Sequence, residues 1–151
     1  DFVDAAGVAG TVSEIGLFAT ILNTGDNVRI IVPNSSVSGA IIKNFSANET
    51  RRNDIVLGIG YGDDIGRAIE VVNQILSKDA RVLTDPAPLV AVSELADSSV
   101  NLVVRPWCSK EDYWSLRFDL HRRFKEELEQ AGCSIPFPQH DVHLHQVNGS
   151  A

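Results

Sequence analysis

Residues 55–76 read IVLGIGYGDDIGRAIEVVNQIL, and their hydrophobic pattern changes in the middle of the stretch. Up to Tyr61 the larger side chains occupy alternate positions, which is the pattern of a strand with one buried face. From Ile65 onward the apolar residues recur every three or four positions, which is typical of an amphipathic helix. Either Asp63 or Asp64 can cap the first turn of that helix. The stretch therefore predicts a strand followed directly by a helix.

The residues downstream extend this unit into a longer pattern. Two strands are predicted at Leu89–Leu95 and Val100–Arg105, joined by a short polar connection. A second helix is predicted from about Ser109, whose hydroxyl can cap its first turn, to Ala131. The alternating residues 141–147 predict a final strand. The order strand, helix, strand, strand, helix, strand is that of the split βαβ, or ferredoxin-like, fold.

The first third of the chain predicts short strands and no helix. A turn signal at residues 24–27 separates two of these strands, and the polar residues 46–50 predict a linker. Such a set indicates a small, strongly bent β-barrel or sheet. The predicted strands are Val3–Ile15, Leu17–Thr24, Val28–Val32 and Gly39–Phe45.

We therefore expect an α+β protein with a β domain followed by an α/β domain. The expected bounds are residues 1–47 for the β domain, 48–139 for the α/β domain, 140–147 for a C-terminal strand and 148–151 for a tail.

Composition disfavours some classes of function. The chain has 13 Lys and Arg against 20 Asp and Glu, a formal net charge of −7, which disfavours a dedicated nucleic-acid binder. The longest uncharged window, residues 30–42, is interrupted by Pro33 and is shorter than the ~20 apolar residues that a membrane-spanning helix needs. Methionine is absent throughout, so we expect the sequence to be part of a longer protein.

The glycines between Gly58 and Gly66 raise the possibility of a dinucleotide-binding loop. Asp63 and Asp64 argue against it, because two carboxylates would stand where a pyrophosphate lies on a helix N-terminus. Close packing of the glycines and a capped helix are the preferred interpretation. No cofactor is predicted.

Two histidines near the C-terminus are weak candidates for metal ligands. On a strand, His143 and His145 would face the same side, as half of a zinc or nickel site. No third ligand is identifiable, so the polar face of a terminal strand is the preferred interpretation. Cys108 and Cys133 predict two reduced thiols, and with no nucleophile motif present the chain is not expected to be an enzyme.

An ordered series of short motifs resembles the cytoplasmic part of the small-conductance mechanosensitive channel (MscS) family, from Asp1 to about Val147. The motifs are Val8-Ala9-Gly10-Thr11-Val12, Pro33-Asn34, Asn44-Phe45-Ser46, Arg51-Arg52-Asn53, Ile59-Gly60-Tyr61, Val103-Val104-Arg105, Trp107, Tyr113-Trp114 and Ile135-Pro136-Phe137-Pro138-Gln139.

The resemblance implies more than the residues themselves do. It implies upstream membrane helices, a small Sm-like β domain, a ferredoxin-like α/β domain and C-terminal strands that close into a parallel barrel in a homo-heptamer. The assembled chains would form a hollow cage with side portals on the cytoplasmic side of the bacterial inner membrane. The channel would open under membrane tension and release ions and small solutes during hypoosmotic stress.

The residues near the predicted domain junction are candidates for a portal of that cage. They are Lys43, Ser46, Asn48, Glu49 and Arg51. A solvated linker with no role in permeation is the alternative for this segment.

The candidates for the oligomeric barrel are Val142, His143, Leu144 and His145. If the two histidines faced the barrel interior, protonation below their ordinary pKa of ~6.5 would add like charge in a confined space and loosen it.

Two other functions compete with the channel interpretation. One is a soluble oligomeric regulatory domain that binds small molecules, because ferredoxin-like folds host many functions. The other is an RNA-binding Sm-like module, which the acidic net charge disfavours.

Overall fold

A computed structural model describes residues 1–144. It divides the chain into two compact units. The β unit contains Asp1–Arg52 and Cys108–Trp114, and the α/β unit contains Asn53–Trp107 and the described residues from Ser115 onward. Within residues 1–144, no helix combines the length and the hydrophobicity that crossing a membrane requires.

Ten strands and three helices are assigned in the described residues. In chain order they are β1 (Phe2–Ala5), β2 (Val8–Ile15), β3 (Ala19–Asn23), β4 (Arg29–Pro33), α1 (Asn34–Ser38), β5 (Ile42–Asn44), β6 (Thr50–Arg52), β7 (Ile55–Ile59), α2 (Ile65–Lys78), β8 (Leu89–Leu95), β9 (Val100–Arg105), β10 (Trp107–Ser109) and α3 (Tyr113–Gln130).

The β unit is built on a five-stranded antiparallel sheet in the order β4-β3-β2-β1-β5. Ala6 and Gly7 both have positive φ, at 54° and 78°, and so turn the chain tightly between β1 and β2. The predicted strand Val3–Ile15 is therefore a hairpin of two strands. The buried core of the sheet consists of Val3, Ala5, Leu22 and Val32. The small Sm-like β domain expected from the sequence is confirmed as a fold class.

The prediction that the first third contains no helix is wrong, because α1 follows directly after β4. Pro33 ends β4 and is the N-cap of α1, with φ of −55° and an extended ψ of 136°. The side chain of Asn34 then anchors the turn: it donates to the carbonyl of Gly16 at 2.9 Å and accepts from the hydroxyl of Thr20 at 2.8 Å. These contacts come from residues 14 to 18 positions earlier, so no local pattern reveals them.

The α/β unit contains a three-stranded antiparallel sheet in the order β7-β9-β8. This places the unit's first strand beside its third and the third beside its second, as in the ferredoxin-like fold. Both long helices are amphipathic and bury one face each. The largest fully buried apolar side chains of the unit are Ile55, Ile59, Val72, Ile75, Leu102, Val104, Leu116, Leu120, Phe124 and Leu128.

The two adjacent aspartates at the start of α2 have separate roles, which the sequence left open. Asp64 is the N-cap, since its side chain accepts a hydrogen bond from the amide of Arg67 at 2.9 Å. Asp63 instead accepts from the amides of Gly60 and Ser134, at 2.8 and 2.7 Å. One carboxylate therefore caps the helix and the other joins two distant segments of the unit.

The second long helix begins four residues later than predicted, at Tyr113. Ser109 belongs to β10, and its hydroxyl accepts from the amide of Asp112 at 3.3 Å in the turn that precedes the helix. At the other end, Gly132 has φ of 87°, which ends α3 in a left-handed turn.

The predicted terminal strand is not formed by residues 141–144, which pair with no other strand of the described chain. Residues 145–147 lie outside the described residues. A strand of an intermolecular barrel obtains its hydrogen bonds from neighbouring chains, which a single chain does not contain. The barrel strand therefore stays a prediction.

Candidate functional site

Two segments that are distant in sequence lie together in the β unit. β6 pairs with β10 in a two-stranded sheet, and the amide of Lys110 donates to the carbonyl of Glu49 at 3.0 Å. Residues 45–51 and 108–114 are therefore held side by side by backbone hydrogen bonds, although about sixty residues separate them in the chain.

Lys110 connects the two segments through its side chain as well. Its ammonium donates to a carboxylate oxygen of Glu49 at 2.9 Å and to the carbonyl oxygen of Ser46 at 3.1 Å. The hydrogen bond that Lys110 donates to Glu49 raises the pKa of the lysine above its ordinary value. The lysine therefore carries its positive charge throughout the physiological range of pH.

Arg51 packs against aromatic rings in the same region. Its guanidinium carbon lies 3.6 Å from the ring centroid of Tyr113 and 5.0 Å from that of Phe45, within the range of cation–π attraction. The ring of Phe2 packs against Phe45 at a centroid distance of 5.9 Å, and Trp114 meets Tyr113 edge to face at 5.1 Å. Arg51 therefore has two cation–π partners.

A cavity of about 350 Å³ opens among these side chains. It combines two cations with three aromatic residues, and we call it the aromatic–cationic cavity. Its lining residues are Phe2, Phe45, Ser46, Arg51, Lys110, Glu111 and Trp114.

The structure brings together only some of the residues that were predicted near a portal. Ser46 and Arg51 line the cavity, and Glu49 is the ion-pair partner of Lys110. Lys43 instead lies on β5 opposite Asp4, and Asn48 is exposed without lining the cavity. Whether any of the five lines a portal stays a prediction, because a portal is formed between chains.

Lys110 is a residue of this cavity that was not predicted from the sequence. Its partner Glu49 lies 61 positions earlier in the chain, and a single lysine in a polar segment carries no periodic or motif signal. The aromatic pair Tyr113 and Trp114 was recognisable from the sequence, but its neighbours were not.

Close packing explains Gly60 in the glycine-rich stretch that follows β7. A Cβ atom on Gly60 would lie 2.5 Å from the hydroxyl oxygen of Ser134 and 3.2 Å from a carboxylate oxygen of Asp63. Asp64 meanwhile occupies the N-terminus of α2 as its cap. The preferred interpretation, close packing and a capped helix, is confirmed at these positions.

The C-terminal candidates are mostly solvent-exposed where they are described. Val142 is 74% exposed and Leu144 is 87% exposed, and His145 lies outside the described residues. In residues 1–144 the structure contains no group of three or more His, Cys, Asp or Glu side chains arranged to hold a metal ion. A role for His143 and His145 in metal binding or a barrel stays a prediction.

Both cysteines are buried thiols in the described chain. Burial, helped by the nearby carboxylates of Asp63 and Asp64, raises the pKa of the Cys133 thiol. Since the thiolate is the reactive form, this environment makes Cys133 a poor nucleophile.

A charged cluster in the α/β unit is centred on Asp79, whose side chain is only 7% exposed. Arg81 lies 2.8 Å from its carboxylate and Arg123 lies 3.8 Å away. The hydrogen bonds from Arg81, reinforced by the charge of Arg123, hold the pKa of Asp79 below its ordinary value. The two arginines therefore balance the negative charge of this nearly buried carboxylate.

Two family models match the chain, one after the other. The β-domain model of mechanosensitive ion channels matches residues 1–47. The model of the C-terminal part of the mechanosensitive ion channel MscS matches residues 53–135.

Curated relatives extend the comparison over nearly the whole chain. A small-conductance mechanosensitive channel of Edwardsiella ictaluri is 43% identical over 147 residues, which are 97% of this chain and 51% of that protein. A small-conductance mechanosensitive channel of Methanocaldococcus jannaschii is 31% identical, over 97% of this chain and 43% of that protein. The chain therefore spans about half the length of the curated relatives it matches.

Solved structures show the same arrangement of elements. The crystal structure of Helicobacter pylori MscS in a closed state matches with a TM-score of 0.91 and 26% identity, covering 97% of this chain and 58% of that one. A cryo-EM structure of Arabidopsis thaliana MSL1 matches with a TM-score of 0.77 over 91% of this chain and 50% of that one, and at 22% identity it shows the fold alone.

Proposed function

Since the chain belongs to the mechanosensitive ion channel MscS family, we propose that it is the cytoplasmic part of a channel subunit that opens under membrane tension. The observation that carries the proposal is the joint match of both family models in order, at residues 1–47 and 53–135. The TM-score of 0.91 to Helicobacter pylori MscS supports it. The remaining half of such a protein would supply the helices that cross the membrane.

The chain works as a homo-oligomer in this proposal, and the subunit number is seven. The β unit supports assembly because it exposes large apolar side chains that a partner would cover. The most exposed of these are Ile15 at 75%, Leu17 at 84%, Phe18 at 82% and Ile41 at 88%.

The proposed mechanism is physical and involves no bond chemistry. An open channel occupies more membrane area than a closed one, so tension shifts a two-state equilibrium toward the open state. The assembled chains form a cage at the cytoplasmic side of the bacterial inner membrane. Ions and small solutes leave through portals in the cage, which select by diameter and by the charges that line them.

A chimera tests the proposal. The matching 147 residues of the Edwardsiella ictaluri channel are replaced by this chain, and the chimera is expressed in bacteria that lack their own mechanosensitive channels. We expect survival of a sudden hypoosmotic shock close to that given by the unaltered channel. Lysis at the level of the empty vector, with the chimera present in the membrane, would contradict the proposal.

A further inference from the structure

Arg51 has hydrogen-bonding capacity that the fold leaves unused. Cation–π packing on Tyr113 and Phe45 engages the faces of the guanidinium and leaves the N–H donors in its plane available. Among residues 1–144, the structure places no carboxylate in ion-pair contact with Arg51. In the α/β unit, by contrast, Arg81 and Arg123 share Asp79.

Lys110 supplies a second cation to the aromatic–cationic cavity. An ammonium has three donors, and two of them are used by Glu49 and by the carbonyl of Ser46. Within residues 1–144 these are the two hydrogen bonds of the ammonium, so its third donor is available to a ligand in the cavity. Glu49 thus fixes the ammonium at the wall without occupying all of its hydrogen bonds.

The aromatic side chains give the cavity an apolar wall. Trp114 is 54% exposed and lines the cavity together with Phe2 and Phe45. Planar rings stack well on such a surface. The cavity volume of about 350 Å³ lies within the range of small-molecule sites.

We propose that the aromatic–cationic cavity binds a small organic anion: its phosphate or carboxylate pairs with Arg51 and Lys110, and a flat ring of the same molecule lies against Trp114. Guanidinium groups favour these two anions because their parallel N–H donors match two oxygens at once. The site is contained in the β unit of one chain, so the inference does not depend on the channel function.

Glu111 limits the affinity of this site. Its carboxylate lines the same cavity and repels a bound anion, so the cavity carries less positive charge than its two cations suggest. Replacing the carboxylate by an amide of nearly equal size removes this repulsion. We expect Glu111→Gln to tighten binding by about threefold to tenfold.

Trp114 itself reports binding. The chain has two tryptophans, so a Trp107→Phe variant leaves Trp114 as the only one. Its emission, excited at 295 nm at constant ionic strength, is followed during titrations with AMP, inorganic phosphate and adenosine. We expect a saturable change with AMP. Inorganic phosphate, which lacks the ring, and adenosine, which lacks the anion, should each bind at least about tenfold more weakly.

Variants locate the site. Arg51→Gln should abolish the response to AMP, and Arg51→Lys, which keeps the charge but loses the fork of donors, should weaken it. Lys43→Gln removes a cation of the same unit outside the cavity and should leave the response unchanged. Amide chemical shifts of the unaltered chain, titrated with AMP, supply the same information if a variant fails to fold.

Three results would overturn the proposal. The first is the absence of a saturable response to AMP in both fluorescence and chemical shifts. The second is equal binding of AMP and inorganic phosphate, which would remove the role of the ring. The third is an AMP response that survives Arg51→Gln in a folded variant.

Discussion

Gly10 is a residue where the fold depends on the absence of a side chain. A Cβ atom there would lie 2.9 Å from the carbonyl oxygen of Asn23 and 3.2 Å from the Cβ of Leu22. Because the first of these atoms is backbone, β2 and β3 would have to separate. We expect Gly10→Ala to lower the free energy of unfolding by about 1–3 kcal/mol, measured by urea unfolding.

Gly25 provides the matched control for that substitution. It lies in the same unit, and a Cβ atom there would meet nothing within 4 Å, so Gly25→Ala should leave stability nearly unchanged. Equal stability of the two variants would show that β2 and β3 accommodate the methyl group.

The ion pairs of Asp79 should make the free energy of unfolding depend on pH in the acid range. Its carboxylate contacts Arg81 and Arg123, so Asp79→Asn should cost about 1–2 kcal/mol at pH 7. Because the folded-state pKa lies below the ordinary 3.8, the stabilisation is complete above about pH 4 and is lost as the pH falls through the folded pKa. The difference between variant and wild type should therefore shrink between pH 4 and pH 2.5 in urea unfolding.

Glu126→Gln is the control for Asp79→Asn, since it breaks an exposed ion pair with Arg122 on α3 of the same unit. Exposed pairs contribute little, so this loss should be much smaller. A constant difference between Asp79→Asn and wild type from pH 7 to 2.5 would contradict the assigned ion pair.

Single residues also show the limit of sequence reasoning. The pattern located the start of α2 at two adjacent aspartates, because capping depends on neighbouring residues. It could not assign their roles, because the amide of Ser134 that Asp63 binds is 71 positions away. Ser46, Glu49 and Arg51 were predicted near a junction, but the partners that define the cavity came only from the folded chain.

At the scale of elements, a strand or helix could be predicted from the sequence when local interactions form it, and not when it depends on a distant segment. β7, α2, β8 and β9 have their own hydrophobic periodicity and lie close to where it predicts them. β6 and β10 are three residues each and exist because they pair with each other across more than fifty positions. A three-residue strand has too few positions to display a period.

The contact between Lys110 and Glu49 should keep the segment around β6 ordered. We expect Lys110→Gln to speed hydrogen exchange of the amides in residues 46–52 by about twofold to fivefold, through more frequent local opening. The pKa of Lys110 in the folded protein is raised above its ordinary value of 10.5. The protection is therefore complete at pH values below 10.5, and it is lost as the pH rises through the pKa of the folded state.

Lys125→Gln is the matched control, because it breaks an exposed ion pair within α3 at the same distance of 2.9 Å. It should leave exchange in residues 46–52 unchanged. Equal exchange rates in wild type and Lys110→Gln would show that Lys110 does not hold the two segments together.

At the scale of the whole molecule, one chain carries little information about assembly. The exposed apolar residues of the β unit favour a partner, but neither the subunit number nor the barrel is derivable from contacts within one chain. Both rest on family membership, and the family was recognisable from the order of short motifs along the sequence.

A tension-clamped membrane patch that contains the chimera with the Edwardsiella ictaluri channel tests most directly whether this chain works in a tension-gated channel. We expect discrete currents that appear as suction rises, disappear when it is released and are absent from patches without the chimera. Membrane-inserted chimera that stays electrically silent up to the tension at which the patch ruptures, while the unaltered channel opens under the same conditions, would contradict it.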